Sequence, residues 1–216
     1  MFEYDEQKAL RSEAPARITE PGAYVGTILQ CEHVKAQNSD AEFVRFMFRT
    51  QDGVTAWLNI FTKKKDGAEA FGVGYIHALM GLLGVQSMKA VPAKCRAWNG
   101  EVVTGERYTE VENKRIGFVL GMRDRRYEDS NGVERVAYDP QIVRIFDPAT
   151  HKTLTETKKN FEAKTVYRDV EAQVKAFEEL KAKVEAERAD SFESAPRHRE
   201  PAAQQHVNDL PEDIPF

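Results

Sequence analysis

Residues 42–62 leave the chain little choice of local structure. Glu42–Thr50 (EFVRFMFRT) and Val54–Thr62 (VTAWLNIFT) are rich in β-branched and aromatic side chains, and Gln51-Asp52-Gly53 between them is a tight-turn sequence. Side chains alternate across a strand, so a one-residue slip in pairing would turn every one of them to the other face. In the first run Val44, Phe46 and Phe48 share one face, and Phe43, Arg45, Met47 and Arg49 the other. In the second, Val54, Ala56, Leu58 and Ile60 oppose Thr55, Trp57, Asn59 and Phe61. One set in each strand is plain core. The other mixes large aromatics with arginine, and both strands give the same answer.

The remaining elements follow similar punctuation. Pro21-Gly22 closes an N-terminal arm (residues 1–20), Ala23–Val34 reads as the first strand, and Gln37-Asn38-Ser39-Asp40 is a loop. After Lys63-Lys64-Lys65-Asp66-Gly67, a buried helix is expected over Ala68–Leu83, ending near Gly84. Residues 85–110 are less regular, with one short strand expected at Lys94–Trp98. Lys114–Tyr127 and Val133–Phe146 read as two strands joined through Asn131-Gly132, a hairpin signal. Asp169–Arg188 predicts a closing helix with Val170, Val174, Phe177 and Val184 on one side. Three strands, a helix and a two-stranded hairpin are the element order of the OB-fold, a five-stranded Greek-key barrel whose face and loops bind oligonucleotides. The expected class is therefore mainly β with helices. An OB-fold barrel spans 21–150, a helical extension 151–188 and a disordered tail 189–216.

Charge separates tail from body. Residues 189–216 hold six acids and two bases, and removing them from the chain's 35 acids and 31 bases leaves 29 of each. The net −4 thus lies in the tail, whose Ala, Gln, Pro and Ser content cannot bury enough apolar surface to order it. A neutral body with an acidic tail suits a nucleic-acid binder whose tail competes with the phosphate backbone. Cys31 and Cys95 form no CxxC pair, which gives neither a zinc site nor a disulfide framework and suits a reducing cytoplasm. No basic and apolar leader opens the chain. The longest uncharged stretch, residues 70–88, contains four glycines, and its apolar part is shorter than the roughly twenty residues of a membrane span. A cytoplasmic protein without membrane contact is expected.

The tail ends on Asn208-Asp209-Leu210-Pro211-Glu212-Asp213-Ile214-Pro215-Phe216. Asp209, Glu212 and Asp213 supply carboxylates, while Ile214, Pro215 and Phe216 supply an apolar anchor that a slot beside Lys or Arg would accept. This wording resembles the acidic C-terminal tip of bacterial single-stranded-DNA-binding proteins, which end in a near-identical Asp-Ile-Pro-Phe. The body, with Trp57-Leu58-Asn59-Ile60-Phe61 followed by a Lys run, is similar in style to phage-encoded members of that group. The resemblance implies that the tip recruits replication, recombination and repair enzymes.

Binding single strands without sequence preference takes aromatic platforms for bases and cations for phosphates on one surface. Phe43, Arg45, Arg49, Trp57 and Phe61 fit that on the second and third strands, and Lys63, Lys64 and Lys65 extend the cationic track. Arg123, Arg125, Arg126, Tyr127, Arg135 and Tyr138 surround the later hairpin, diluted by Asp124, Glu128, Asp129 and Glu134. Catalytic motifs are weak. Glu112-Asn113-Lys114 matches a nuclease E-x-K without the preceding Pro-Asp, Gly72-Val73-Gly74 lacks a third glycine, and His33, His77, His151, His198 and His206 show neither metal spacing nor carboxylate partners. His77 reads as a core group. No enzyme, metal or cofactor is expected. The expected function is sequence-independent binding and protection of single-stranded DNA in replication, recombination or repair, with a homodimer left open. The alternatives are a recruitment adaptor of the replication machinery and a strand-annealing recombinase.

Overall fold

The computed structural model describes residues 17–194 apart from 37 and 98, together with Tyr4, and side chains as far as 187. Seven strands make one antiparallel sheet: β1 (Gly22–Lys35), β2 (Glu42–Thr50), β3 (Thr55–Lys63), β4 (Val91–Arg96), β5 (Val102–Arg107), β6 (Arg115–Glu128) and β7 (Glu134–Phe146). Among the described residues three α-helices accompany it: α1 (Val73–Leu83), α2 (Leu154–Lys159) and α3 (Thr165–Ser194). None of the described helices is long and apolar enough to cross a membrane.

β1 is the hub. Its first half pairs with β6 (Gly22↔Leu120 to Thr27↔Arg115), β2 runs along most of it, and Glu32 and His33 meet Arg107 and Glu106 of β5. A bulge between Ile28 and Gln30 lets one strand serve these partners, because an extra residue bends and twists its strand. Gly26 pairs with Thr50 of β2, and a Cβ there would lie 2.1 Å from the Arg49 carbonyl oxygen. β6 and β7 form a long hairpin whose turn uses Gly132 at φ 72°. β7 comes alongside β3, yet no ladder joins them and the sheet is not closed. The core fills from inward positions: Phe46, Phe48, Leu58, Ile116, Phe118 and Leu120 are fully buried, with Phe48 edge-on to Phe118 at 4.9 Å.

Several expectations need correction. The sheet has two strands beyond the five of the expected barrel, because Val91–Arg107, expected to hold one short strand, forms the β4–β5 hairpin. The first helix starts at Val73, not Ala68. The chain first folds back on β3, with Lys64 N–H donating to Ala68 O (2.7 Å) and Ala70 N–H to Thr62 O (3.0 Å). Nor is α1 buried. It lies on β3 and β7 with only Leu79 fully enclosed, and His77 is exposed rather than in the core. Lack of charge in a helix does not by itself enclose it.

The short α2 was not expected. Its capping box has Thr153 as N-cap and Glu156 reaching back to it. On α3 the inward stripe is Val166, Val170, Phe177, Leu180 and Val184, while Val174 is 40% exposed. Helix α3 also continues through 189–194, expected to be disordered, because no glycine or proline interrupts the chain before Pro196. The N-terminal arm (Tyr4 and residues 17–20 aside), residues 195–216 and the tip residues Asp209, Glu212, Asp213, Ile214, Pro215 and Phe216 lie outside the described residues.

Candidate nucleic-acid interface

The β2–β3 register puts the two outward sets in direct opposition: Phe43↔Phe61, Arg45↔Asn59, Met47↔Trp57 and Arg49↔Thr55. Phe43 and Phe61 touch with centroids 5.6 Å apart and tilted by 49°, and the Arg45 guanidinium lies 5.3 Å from the Phe43 centroid. Phe61 is 55% exposed, and Trp57 and Met47 are half-buried. The opposite faces hold Val44, Phe46 and Phe48 on β2 and Ala56, Leu58 and Ile60 on β3, all buried. Alternation therefore assigned the faces as they stand. The outward side is an aromatic strip edged by cations.

Cations differ in how committed they are. Arg45 also reaches buried Glu32 at 3.8 Å. Burial pushes the Glu32 carboxyl above its ordinary range, against the pull of Arg45 and the Gln30 side-chain hydrogen bond. Lys63 pairs with Glu42 at 3.3 Å. Arg49, Lys64 and Lys65 have no ion-pair partner among the described residues, and the two lysines sit at a turn closed by Gly67 at φ 84°.

The β6–β7 hairpin divides its candidates between two faces. Arg123, Arg125, Tyr127 and Arg135 share one, with Arg125 5.4 Å from the Tyr127 centroid. Arg126 and Tyr138 share the other, which meets α3: Tyr138 is edge-on to Phe177 at 5.0 Å, and Arg126 pairs with Glu187. These two are not brought together with the rest. Arg125 pairs with Asp139 (2.6 Å) and Arg135 with Asp129 (2.9 Å), a carboxylate held below its ordinary range by hydrogen bonds from Val133 N–H, the Arg135 guanidinium and Asn131 N–H. Arg123 has no carboxylate partner among the described residues.

Arg123 is also what joins the two regions. A cleft of about 400 Å³ opens between β3, β7 and the start of α1, lined by Asn59, Phe61, Phe71, Tyr75, Arg123 and Gln141. It makes the outward face of β3 continuous with the base of the hairpin. Sequence reading missed Phe71, Tyr75 and Gln141, since the cleft is assembled from segments far apart in the chain. Phe71 is 84% exposed, a property only the fold shows.

The other chemical candidates have structural duties. His33 does have carboxylate partners, contrary to expectation. Its ring nitrogens lie 2.9 Å from Glu42 and 2.8 Å from Glu106, which come from neighbouring strands β2 and β5. Glu112 of the E-x-K match is engaged by Arg107 and by the N–H of Cys31 at 2.9 Å. Cys31 and Cys95 are both free and buried, and burial pushes both thiols up. No family model matches the chain, and no curated protein matches it either.

Proposed function

We propose that this protein binds single-stranded DNA without sequence dependence along the outward face of β2 and β3, and protects it during replication, recombination or repair. One observation carries the reading. That face carries the aromatic pair Phe43 and Phe61, half-buried Trp57 further along β3, Arg45 and Arg49 on β2, and the lysines that follow β3. Bases stack on any aromatic face, and phosphates accept any cation, so such a strip binds strands regardless of sequence. The order of strands β3-β2-β1-β6-β7, with β7 returning beside β3 and α1 following β3, supports an OB-like barrel in which β4 and β5 are an added hairpin. The hairpin face of Arg123, Arg125, Tyr127 and Arg135 extends the track, with Arg123 as its uncommitted cation. The segment Asn208–Phe216 is proposed to recruit partner enzymes through its three carboxylates and its Ile-Pro-Phe anchor.

The test is a titration of fluorescent oligothymidine, repeated with duplex of the same length. Single strands are expected to bind at least about tenfold more tightly, with log affinity falling as log salt rises. Equal affinity for duplex, or no binding at low salt, removes the reading and favours the recruitment adaptor.

A further inference from the structure

The seam between β3 and β7 is chemically unfinished. β3 hydrogen-bonds β2 on one edge and β7 hydrogen-bonds β6 on one edge, and the edges facing each other share no ladder; the end of β3 is covered by its own chain, where Lys63 bridges Glu69 and Ala70 N–H donates to the Thr62 carbonyl at 3.0 Å. Backbone donors and acceptors on such edges bind water or a ligand. On the β7 side the Tyr75 hydroxyl donates to the Val143 carbonyl at 2.9 Å, tying α1 to β7. Beside it lies the cleft of about 400 Å³, a size found among small-molecule sites.

Its walls are of two kinds. Phe61, Phe71 and Tyr75 offer flat apolar surfaces, Phe71 standing edge-on to Tyr75 at 5.6 Å. Asn59 and Gln141 bring amides with no hydrogen-bond partner among the described residues, and Arg123 brings a guanidinium without a carboxylate. An amide both donates and accepts, whereas a carboxylate or an ammonium does only one. A nucleobase needs this combination: a flat wall to stack on, mixed donors and acceptors at its edge, and a cation for its own phosphate.

We propose that this cleft is a nucleobase pocket, in which one base of a bound strand leaves the stack, lies against Phe61 or Phe71, and is read at its edge by Asn59 and Gln141. Arg123 holds the attached phosphate. The proposal rests on the reading of the β2–β3 face as a single-strand surface, and Phe61 belongs to both. The pocket gives an otherwise indifferent surface a base preference.

The experiment titrates the full-length protein with labelled oligothymidine, oligodeoxycytidine and oligodeoxyadenosine of one length. The wild type is expected to separate best from worst by roughly tenfold, the scale of a well-made hydrogen-bonded base contact. Asn59→Ala and Gln141→Ala, both at exposed positions, are expected to pull the favoured homopolymer down towards the others while circular dichroism stays unchanged. Uniform affinity in the wild type, or a preference that survives both substitutions, overturns the pocket and leaves the single-strand reading standing. Failure to bind any homopolymer overturns both.

Discussion

Replacing Phe61 by alanine separates a ligand platform from a core residue, because the two roles predict opposite balances between stability and binding. The ring is 55% exposed and its aromatic neighbour is Phe43, at 5.6 Å. Losing that pair and the buried part of the ring costs about 1 kcal/mol of stability, against about 3–5 kcal/mol for a fully enclosed phenylalanine such as Phe46. For a chain of this size 1 kcal/mol lowers Tm by about 2–4 °C. If a base stacks on Phe61, its loss removes about 1–3 kcal/mol of binding free energy, or roughly 5- to 150-fold in Kd. The assay is paired: thermal unfolding followed by circular dichroism, and oligothymidine binding by fluorescence anisotropy at fixed salt. A small Tm change with a large loss of affinity is expected. A large drop in Tm with unchanged affinity in the folded fraction would refute the assignment of this face.

Arg49→Ala and Arg123→Ala are each expected to reduce the salt dependence of oligothymidine binding by about 0.7 in slope. Arg125→Ala should reduce it less, since Asp139 already holds that guanidinium; a salt titration of each variant checks the order. Glu156 supplies a stability prediction with a sign. Burial raises its pKa, but hydrogen bonds from Thr153, Thr165 and Lys164 outweigh that and bring it from 4.5 to about 2. A carboxyl whose folded pKa is depressed stabilises fully above its unfolded value and loses that contribution as pH falls through the folded one. Tm should therefore fall between about pH 5 and pH 2, and Glu156→Gln should flatten that part of the curve while costing about 1–3 kcal/mol at neutral pH. Removing Asn208–Phe216 should leave oligothymidine binding unchanged or stronger, because an acidic competitor is gone. Pull-downs with the shortened protein should lose replication and repair enzymes that the full chain captures.

The β2–β3 hairpin was legible because its inward Val44, Phe46, Phe48, Ala56, Leu58 and Ile60 are all apolar and its outward set is not, so alternation fixed the faces. The β6–β7 hairpin was legible from Asn131-Gly132. The β4–β5 pair was not. β4 does alternate, Val91, Ala93 and Cys95 against exposed Pro92, Lys94 and Arg96, but it is short and carries a proline, and in β5 Val102 and Val103, 64% and 47% exposed, give no inward set to read. Local sequence also could not show how far the arginines are spent. Arg125, Arg126 and Arg135 look like a cationic arm until the strands pair, bringing Asp139, Glu134 and Asp129 beside them, and α3 packs on the hairpin, bringing Glu187. The His33 bridge to Glu42 and Glu106 was hidden for the same reason, since its partners come from β2 and β5. The cleft at the β3–β7 seam is the extreme case, as only the return of the last strand beside the third creates it.

Ultraviolet cross-linking of oligothymidine to the full-length protein, followed by peptide mapping, tests the central claim most directly, because it asks where the strand lies. Cross-links are expected in the peptides that carry Phe43, Trp57 and Phe61, and to be lost when unlabelled single strand is added in excess but not when duplex is. Cross-links confined to α3 or to the β4–β5 hairpin, with none on β2 or β3, would contradict it.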